Sequence, residues 1–572
     1  MKISSNKKHI TMKKQMKIQR TPKPLIAALL LALPLAAVAA TPDAGSILQQ
    51  IKPSIPAPPA PNETGLKIKQ PGGAALPQTV PFLVTSVKIS GNTLFDTATL
   101  HILVADAEGK KLTLQELGKL AARITDYYHD HGYPLTRAII PAQTIRDGVV
   151  EIQVIEARYG KVTINNSSRV DDALLKATLS PLQSGNPIEQ MELESSLLLL
   201  SDIPGIETSA ILLPGQLVAT SDLEIKTDPA QAVSGNVSLD NNGNKVTGRA
   251  RAGGSVNFIN PLHHGDVLST SGMSSGSGMN YGRVSYETLL DGTGTRMGGA
   301  YSALHYILGD TLAVLNGHGT AQVGSLWLKH PFVRSREFNL YGQVQYDSKR
   351  LRDHIDTSGT RTDRHLENWT ASVSGDARDT LLSGGISTFN LTLISGRVGF
   401  DDAAAQLADT ATAKTQGRFS KWTANLVRLQ RLNSRDGLYF SFSGQWANSN
   451  LDSAEKMVAG GPYTVRAYDM GVVSGDSGYL GTAELRHDMG SIWQGQWQMI
   501  AFVDSEHVAV NKTPWAAGTN AATLSGAGAG FNWSGQNQWL AKAYIAVPLG
   551  STPVLVPSSN TVRAWVQLNK GF

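Results

Sequence analysis

The chain has 572 residues, which is too long for a single globular domain, so the sequence predicts several domains. It contains 56 Gly and no Cys, and only 17% of its residues are charged. The mean hydropathy of -0.14 indicates that the apolar residues are dispersed along the chain. This composition is typical of many short strands with one apolar face each, and it argues against a helical membrane anchor beyond the N-terminal segment.

The N-terminal segment has the pattern of a secretory signal peptide. Eight cations and no acid come first, a run of Leu and Ala follows, and small residues close the segment. We therefore predict a signal peptide over 1–40, with the mature chain beginning near Ala40 or Thr41 and with Met12 or Met16 as alternative starts. Without the eight cations the formal charge of +5 becomes about -3, so we expect no nucleic-acid partner.

Residues 41–81 are predicted to form a Pro-rich linker that begins with a short helix. Prolines recur through most of the segment, which favours an extended chain. A helix capped by Asp43 and ended by Pro53 would place three apolar residues on one face. These are Ile47, Leu48 and Ile51. A frayed mature N-terminus is the alternative reading.

Two small α/β modules are predicted next. Residues 82–157 show the order β-α-α-β-β, and Thr113 caps the longer of the two helices. The same order recurs over 158–229, where Asp171 and Pro187 are expected to start the helices. Two such modules in tandem are typical of a docking region.

From residue 230 to the C-terminus, apolar and polar residues alternate with a period of two. Over 338–346 and 438–446, apolar side chains fall on one face and polar side chains on the other. A soluble β-sandwich shows such alternation too. Strands of about ten residues with aromatic ends favour a transmembrane antiparallel β-barrel, in which every backbone group must be paired inside lipid. The last strand shares one apolar face that suits a barrel-insertion signal, formed by Val566, Leu568 and Phe572.

Three segments resemble a known family. Residues 132–156 (GYPLTRAIIPAQTIRDGVVEIQVIE) resemble the POTRA module of two-partner secretion transporters, the hemolysin secretion/activation proteins of the Omp85 superfamily. Residues 460–468 (GGPYTVRAY) and 474–479 (SGDSGY) resemble the family's inward-folded loop. Residues 501–504 (AFVD) resemble the barrel-wall motif that receives the loop's arginine. The resemblance covers essentially the whole mature chain.

This resemblance implies an architecture and a function. It implies about sixteen barrel strands over 230–572, POTRA modules over 82–157 and 158–229, an inward-folded loop near 457–479 and an N-terminal helix that can plug the pore. It also implies an outer-membrane monomer, in contact with lipid and inserted by the barrel-assembly machinery. Such a protein binds an unfolded exoprotein in the periplasm and threads it to the cell surface without nucleotide, metal or other cofactor. The partner could be a hemolysin, an adhesin, a haem-binding protein or a contact-dependent toxin.

Within the loop, the resemblance points to a clamp inside the barrel. The loop residues assigned to it are Val465, Arg466, Tyr468, Asp476 and Gly478. Alternation along the following strand directs Phe502 and Asp504 inward, where a carboxylate can bind a guanidinium. Without the resemblance, Arg466 would be a solvated surface charge, and Asp476 and Tyr468 would serve a turn and local packing. Ala467 stands where the family usually has Gly, and Glu506 stands where a Gly is common.

For the first module we expect a docking groove for the exported partner, because an open sheet edge offers unpaired backbone groups to an extended chain. The residues assigned to this groove are Tyr133, Arg137, Ile139, Ile140 and Gln143. The alternative is that Tyr133, Ile139 and Ile140 belong to the module core. No catalytic or metal-ligand spacing is found in the sequence, so an outer-membrane enzyme is a remote alternative and an Omp85 insertase a closer one.

Overall fold

The computed structural model describes residues 41–51, 66–68, 80–557 and 562–572. Helix α1 spans Ala44–Ile51 and strand β1 spans Leu66–Ile68. Asp43 caps α1 as predicted, because its carboxylate accepts the Ser46 N–H at 2.9 Å. The predicted signal peptide over 1–40 and most of the predicted linker lie outside the described residues.

The first module packs two main helices against a three-stranded sheet. Its elements are β2 Phe82–Leu83, β3 Ser86–Ser90, α2 Thr97–Ile102, β4 Lys111–Leu112, α3 Leu114–Asp130, β5 Arg137–Ile139 and β6 Val149–Ile155. The sheet order is β3-β6-β5, with β3 parallel to β6 and β5 antiparallel to it. Thr113 and Glu116 form a capping box at α3, whose Leu117, Leu120 and Ile124 are buried in the core.

The second module repeats this plan with one added strand. Its elements are β7 Arg158–Asn166, α4 Asp172–Thr178, α5 Gln190–Ser201, β8 Ile206–Pro214 and β9 Thr220–Pro229. Strand β1 from the linker pairs in parallel with β8, giving the order β1-β8-β9-β7. The prediction that Pro187 starts a helix is wrong. Pro187 bridges to Arg158 and the Ile188 N–H binds the Ala157 carbonyl at 2.9 Å, so the chain stays extended until Gln190.

Residues beyond 230 close into a sixteen-stranded antiparallel barrel, which confirms the predicted fold class. The barrel strands are β10 Val233–Asp240, β11 Arg251–Ile259, β12 Val267–Ser274, β13 Met279–Leu289, β14 Arg296–Ile307, β15 Gly317–Arg334, β16 Phe338–Ile355, β17 Thr360–Asp379, β18 Gly385–Phe400, β19 Gly417–Arg431, β20 Asp436–Ala447, β23 Ser477–Ile492, β24 Gly495–Ala509, β25 Ala521–Gly535, β26 Trp539–Pro548 and β27 Arg563–Gly571. Strands β21 Met457–Ala459 and β22 Val473–Gly475 form a hairpin in the β20–β23 connection, and helix α6 Ala403–Ala411 lies in the β18–β19 connection.

The barrel wall follows the predicted alternation. Large apolar side chains such as Trp369 and Val566 are more than half exposed on the outward face, whereas the interleaved residues face the lumen. At the seam β10 pairs with β27, and Phe572 exchanges backbone hydrogen bonds with Gly235 at 2.9 and 3.0 Å. The Phe572 ring lies against the Cα of Gly235, where a Cβ would come within 2.5 Å of it. Within the described residues no helix has the length and apolarity to cross a bilayer.

The second module is docked on the barrel turns that lie next to it. The Arg334 guanidinium binds both Asp202 carboxylate oxygens at 2.6 and 2.8 Å, and Arg296 donates to the Asp202 carbonyl at 2.6 Å. Leu289, at the end of β13, is buried in the core of the second module. These contacts lie at the end of the barrel where β10 begins.

A buried carboxylate ties the first module to the second. Glu156 accepts the backbone N–H groups of Thr93 and Leu94 at 2.6 and 2.8 Å and the Tyr128 hydroxyl at 2.9 Å, and Arg158 approaches it to 3.4 Å. Burial by itself raises the pKa of Glu156, but these hydrogen bonds outweigh it and hold the pKa below its usual value.

Replacing Glu156 with Gln should cost the first module about 2 kcal/mol of unfolding free energy at neutral pH, because several donors lose a charged acceptor. A depressed pKa in the folded protein stabilises it above the pKa of the unfolded chain, and this stabilisation is lost as the pH falls through the folded pKa. Hydrogen exchange at 149–155 in the full-length protein should separate the variant from the wild type at neutral pH and bring the two together in acid. An equal separation at both pH values would contradict this assignment.

Candidate functional site

The β20–β23 connection folds back into the barrel rather than out into solvent. Its central residues Val465, Arg466 and Tyr468 are 0%, 5% and 1% exposed. Gly460 and Gly461 have φ values of 85° and 125°, a region that favours glycine, and they reverse the chain before this segment. Ala467 has no positive φ, so alanine fits at this position without backbone strain.

Arg466 binds two carboxylates on the barrel wall. Its Nε and Nη2 donate to the two Asp504 carboxylate oxygens at 2.8 and 2.7 Å, and its Nη1 donates to Glu484 Oε1 at 2.7 Å. The Arg466 backbone N–H also donates to Asp504 at 3.2 Å. A planar guanidinium suits this bidentate geometry, and a lysine ammonium could not reproduce it.

Aromatic side chains enclose the same guanidinium. The Phe502 ring centroid lies 3.4 Å from Arg466 Cζ, and the Tyr544 centroid lies 5.5 Å from it. The indole N–H of Trp565 on β27 donates to the Arg466 carbonyl at 2.7 Å. The loop is thereby joined to β23, β24, β26 and β27, so its position depends on the closed barrel.

The structure brings Arg466, Phe502 and Asp504 together, as the sequence led us to expect, and adds Glu484. Glu484 also accepts Arg486 at 2.6 Å, which makes it a bridge between the loop and the wall of β23. Nothing in its local sequence singled it out. The inward parity of Thr482, Glu484 and Arg486 on β23 was the signal that could have identified it.

Asp476 and Gly478 lie apart from this cluster, at the base of the loop. The fully buried Asp476 carboxylate accepts the backbone N–H groups of Leu451 and Lys512 at 3.0 and 2.8 Å and pairs with Lys456 at 2.8 Å. A Cβ at Gly478 would come within 2.5 Å of the His507 carbonyl oxygen, so the strand needs glycine there. These two residues hold the entry of the loop into the wall.

Helix α1 lies in the lumen, in a socket of opposite charges. Its cap residue Asp43 pairs with Arg364 on β17 at 2.6 Å, and Arg364 also binds Asp353 and Asp452 at 2.7 and 2.5 Å. The Ala44 N–H donates to Asp353 at 2.7 Å. The apolar face of α1 packs against inward side chains of several strands, among them Leu304, Tyr306, Leu351 and Leu366.

The inward loop and the helix also touch each other. A Cβ on Gly45 would come within 2.4 Å of Ser453 Oγ, and the Gln49 side chain donates to the Ala454 carbonyl. Next to this contact, Glu455 pairs with Lys349 and with Lys421, both on the barrel wall. The 453–455 segment is therefore held between α1 on one side and the wall on the other.

The five predicted docking residues of the first module separate into two groups. Tyr133 and Ile140 pack against the module core, and the Gln143 amide binds the N–H and carbonyl of Glu151, so these three have structural roles. Ile139 is 38% exposed on β5, and Arg137 begins the same strand.

The β5 edge is not open along its whole length. The Ala138 N–H donates to the Thr125 hydroxyl at 2.9 Å, and His129 contacts the Thr136 carbonyl at 3.0 Å. Helix α3 thus covers backbone groups that an added strand would use. A chain that adds to β5 must replace these two contacts.

Comparisons with known proteins agree with this architecture. The family model "Haemolysin secretion/activation protein ShlB/FhaC/HecB" matches residues 219–533, and the model "POTRA domain, ShlB-type" matches residues 82–157. The chain is 26% identical over 541 residues to the heme/hemopexin transporter protein HuxB of Haemophilus influenzae (strain 86-028NP). The aligned region covers 93% of this chain and 95% of that protein. It is 23% identical over 492 residues to the outer membrane transporter CdiB of Escherichia coli, which covers 82% of this chain and 81% of that protein.

Solved structures show the same fold. CdiB from Escherichia coli superposes with a TM-score of 0.69 at 21% identity, covering 88% of this chain and 93% of that one. CdiB from Acinetobacter baumannii gives a TM-score of 0.61 at 18% identity, covering 90% and 95%. Because the family model spans more than half of its length, the chain belongs to the ShlB/FhaC/HecB haemolysin secretion/activation family, as an outer-membrane two-partner secretion transporter with a periplasmic POTRA region.

Proposed function

We propose that this transporter exports its partner through the barrel after α1 has left the lumen, while the Arg466 clamp holds the inward loop against the wall. This proposal rests on the contacts that hold α1 in the lumen. The helix is attached through polar contacts at Asp43 and Ala44 and through a small apolar face. Contacts of this kind can exchange for water, so the helix can leave without breaking the barrel.

We further propose that the partner is a heme/hemopexin-related exoprotein, because the relative HuxB is named a heme/hemopexin transporter. That relative aligns over 93% of this chain, more than the 82% aligned with CdiB. The chain itself acts as a transporter without enzymatic chemistry, and it works as a monomer. During biogenesis the strand with Val566, Leu568 and Phe572 serves as the signal for the barrel-assembly machinery, and the outward face then contacts lipid.

The first module captures the partner along β5 in this proposal. An extended segment would replace the Thr125 and His129 contacts and set an apolar side chain against Ile139. The strand β1 gives a precedent within the molecule, because it is an extended segment that adds to the edge of the second module. Its addition covers the β8 edge of the second module, and β5 is an edge strand of the first.

The clamp is tested by Arg466→Ala. The variant should fold and insert, because β23 and β24 pair along their whole length without Arg466, but secretion of the partner should fall about tenfold or more since the loop loses its wall attachment. Partner in the culture medium is measured against barrel level in the outer membrane. Arg428→Ala, on the barrel's outer surface and paired with Asp379, serves as the control. Unchanged secretion by a correctly inserted Arg466→Ala protein would refute the role of the clamp.

The role of α1 as a plug of the lumen is tested by Asp43→Asn. This change weakens the attachment of α1 to the barrel wall while leaving Arg364 paired with Asp353 and Asp452. The ion conductance of the purified protein in planar bilayers should rise, because α1 occupies the lumen for a smaller fraction of time. Asp402→Asn at the cap of the external helix α6 is the matched control and should leave conductance unchanged. Equal conductance in the wild type and Asp43→Asn would show that Asp43 does not retain the helix.

Docking is tested by Ile139→Asp, which places a charge at the apolar contact. Binding of the partner's N-terminal region to the purified full-length transporter should weaken about tenfold. Ile102→Asp, at a residue that is 76% exposed on α2 of the same module, should bind like the wild type. If both variants bind equally well, the partner docks elsewhere.

A further inference from the structure

The outward face of the barrel changes character above its outer aromatic belt. Tyr301, Tyr346, Trp369 and Trp422 face outward at the belt, where Tyr346 and Trp369 pack with ring centroids 5.1 Å apart. Strands β16 and β17 continue beyond this level, away from the docked second module, to a turn near residue 357. The surface above the belt therefore borders the headgroups of the outer leaflet.

Five arginines face outward in this zone and have no ion-pair partner among the described residues. They are Arg350, Arg352, Arg361, Arg397 and Arg418, all exposed. Arg397 stands directly opposite Arg418 across β18 and β19 and directly opposite Glu367 across β17 and β18, so one carboxylate neighbours two like charges, which repel each other. On β16–β19 above the belt the outward acids are Asp363 and Glu367, so five guanidinium charges face two carboxylates on these strands.

A depression of about 680 Å³ lies beside these arginines on the outward face of β12–β15. Gly272, Gly282 and Ala303 form its floor, and a Cβ built at Gly282 meets no atom within 4 Å. Its rim includes Gln322 and Thr320, which stand directly opposite Arg350 and Arg352 in the β15–β16 register. The surface therefore combines a depression lined by small residues with two neighbouring arginines, Arg350 and Arg352.

We propose that this surface is a binding site for the phosphorylated glycolipid of the outer leaflet. Arg350 and Arg352 lie two residues apart on one face of β16, about 7 Å along the strand, and can hold one phosphate between them. The depression takes the sugar or acyl portion next to that phosphate, and Arg397 with Arg418 accepts a second anionic group. The site stands outside the lumen and is independent of the exported partner.

The test is native mass spectrometry of the full-length protein in detergent, titrated with purified bisphosphorylated lipid A. Wild-type protein should retain the lipid, and the double variant Arg350→Gln/Arg352→Gln should bind it about tenfold more weakly. The matched control is Arg435→Gln, an exposed arginine in the turn between β19 and β20 at the opposite end of the barrel, which should bind like the wild type. Electrophoresis of unheated samples in detergent, in which a folded barrel resists unfolding, verifies that each variant is folded.

Two further arms separate the parts of the proposal. Dephosphorylated lipid A should bind the wild type as weakly as the native lipid binds the double variant, and Gly282→Leu should weaken binding by filling the depression. The proposal is overturned if the double variant binds lipid A like the wild type, or if phosphatidylglycerol binds as tightly as lipid A. It is also overturned if two protein copies pair through this face and no lipid A is bound there.

Discussion

The structure depends on one constraint, that every backbone N–H and C=O inside the lipid must be paired within the protein. A sheet meets it only by closing, and here β10 pairs with β27 to complete sixteen strands. A barrel of this size has a bore that side chains alone cannot fill. The protein fills it with chain from outside the wall, namely α1 and the β20–β23 connection. The lumen contacts are therefore consequences of closure.

The elements inside the lumen are held by ion pairs as well as by apolar packing, and the ion pairs of the two elements differ in geometry and burial. Removing charges from water costs free energy that a buried pair recovers only with good geometry. Arg466 has that geometry, with two carboxylates and two aromatic rings around it, whereas Asp43 is 28% exposed at its side chain. The loop is thus attached more firmly than the helix. The proposed export route requires this difference, because in it α1 leaves the lumen while the loop stays attached to the wall.

Much of the fold could be predicted, because the local periodicity of apolar and polar residues indicates the helices and strands. Alternation along β24 directed Asp504 inward, whereas its pairing with Arg466 was implied by the family resemblance. The cap of α1 at Asp43 follows from one side chain. The socket at Arg364 could not be predicted, because Asp43, Asp353 and Asp452 meet only after the barrel has closed. The pairing of β1 with β8 is equally non-local. Tyr133 and Ile140 were predicted to dock the partner, but their side chains pack against the core of the first module.

The connection between β20 and β23 is fixed at two places on the barrel wall, and this determines which movements the geometry allows. Asp452 is bound at Arg364 on β17, and Arg466 is bound at Asp504 on β24. Helix α1 touches the first place only, through Asp43 and the Gln49 contact with Ala454. When α1 leaves, Arg364 keeps two of its three carboxylates and Arg466 keeps all its partners. In the proposed export route, departure of the helix leaves the clamp in place and frees the part of the lumen along β14–β17, where α1 packs.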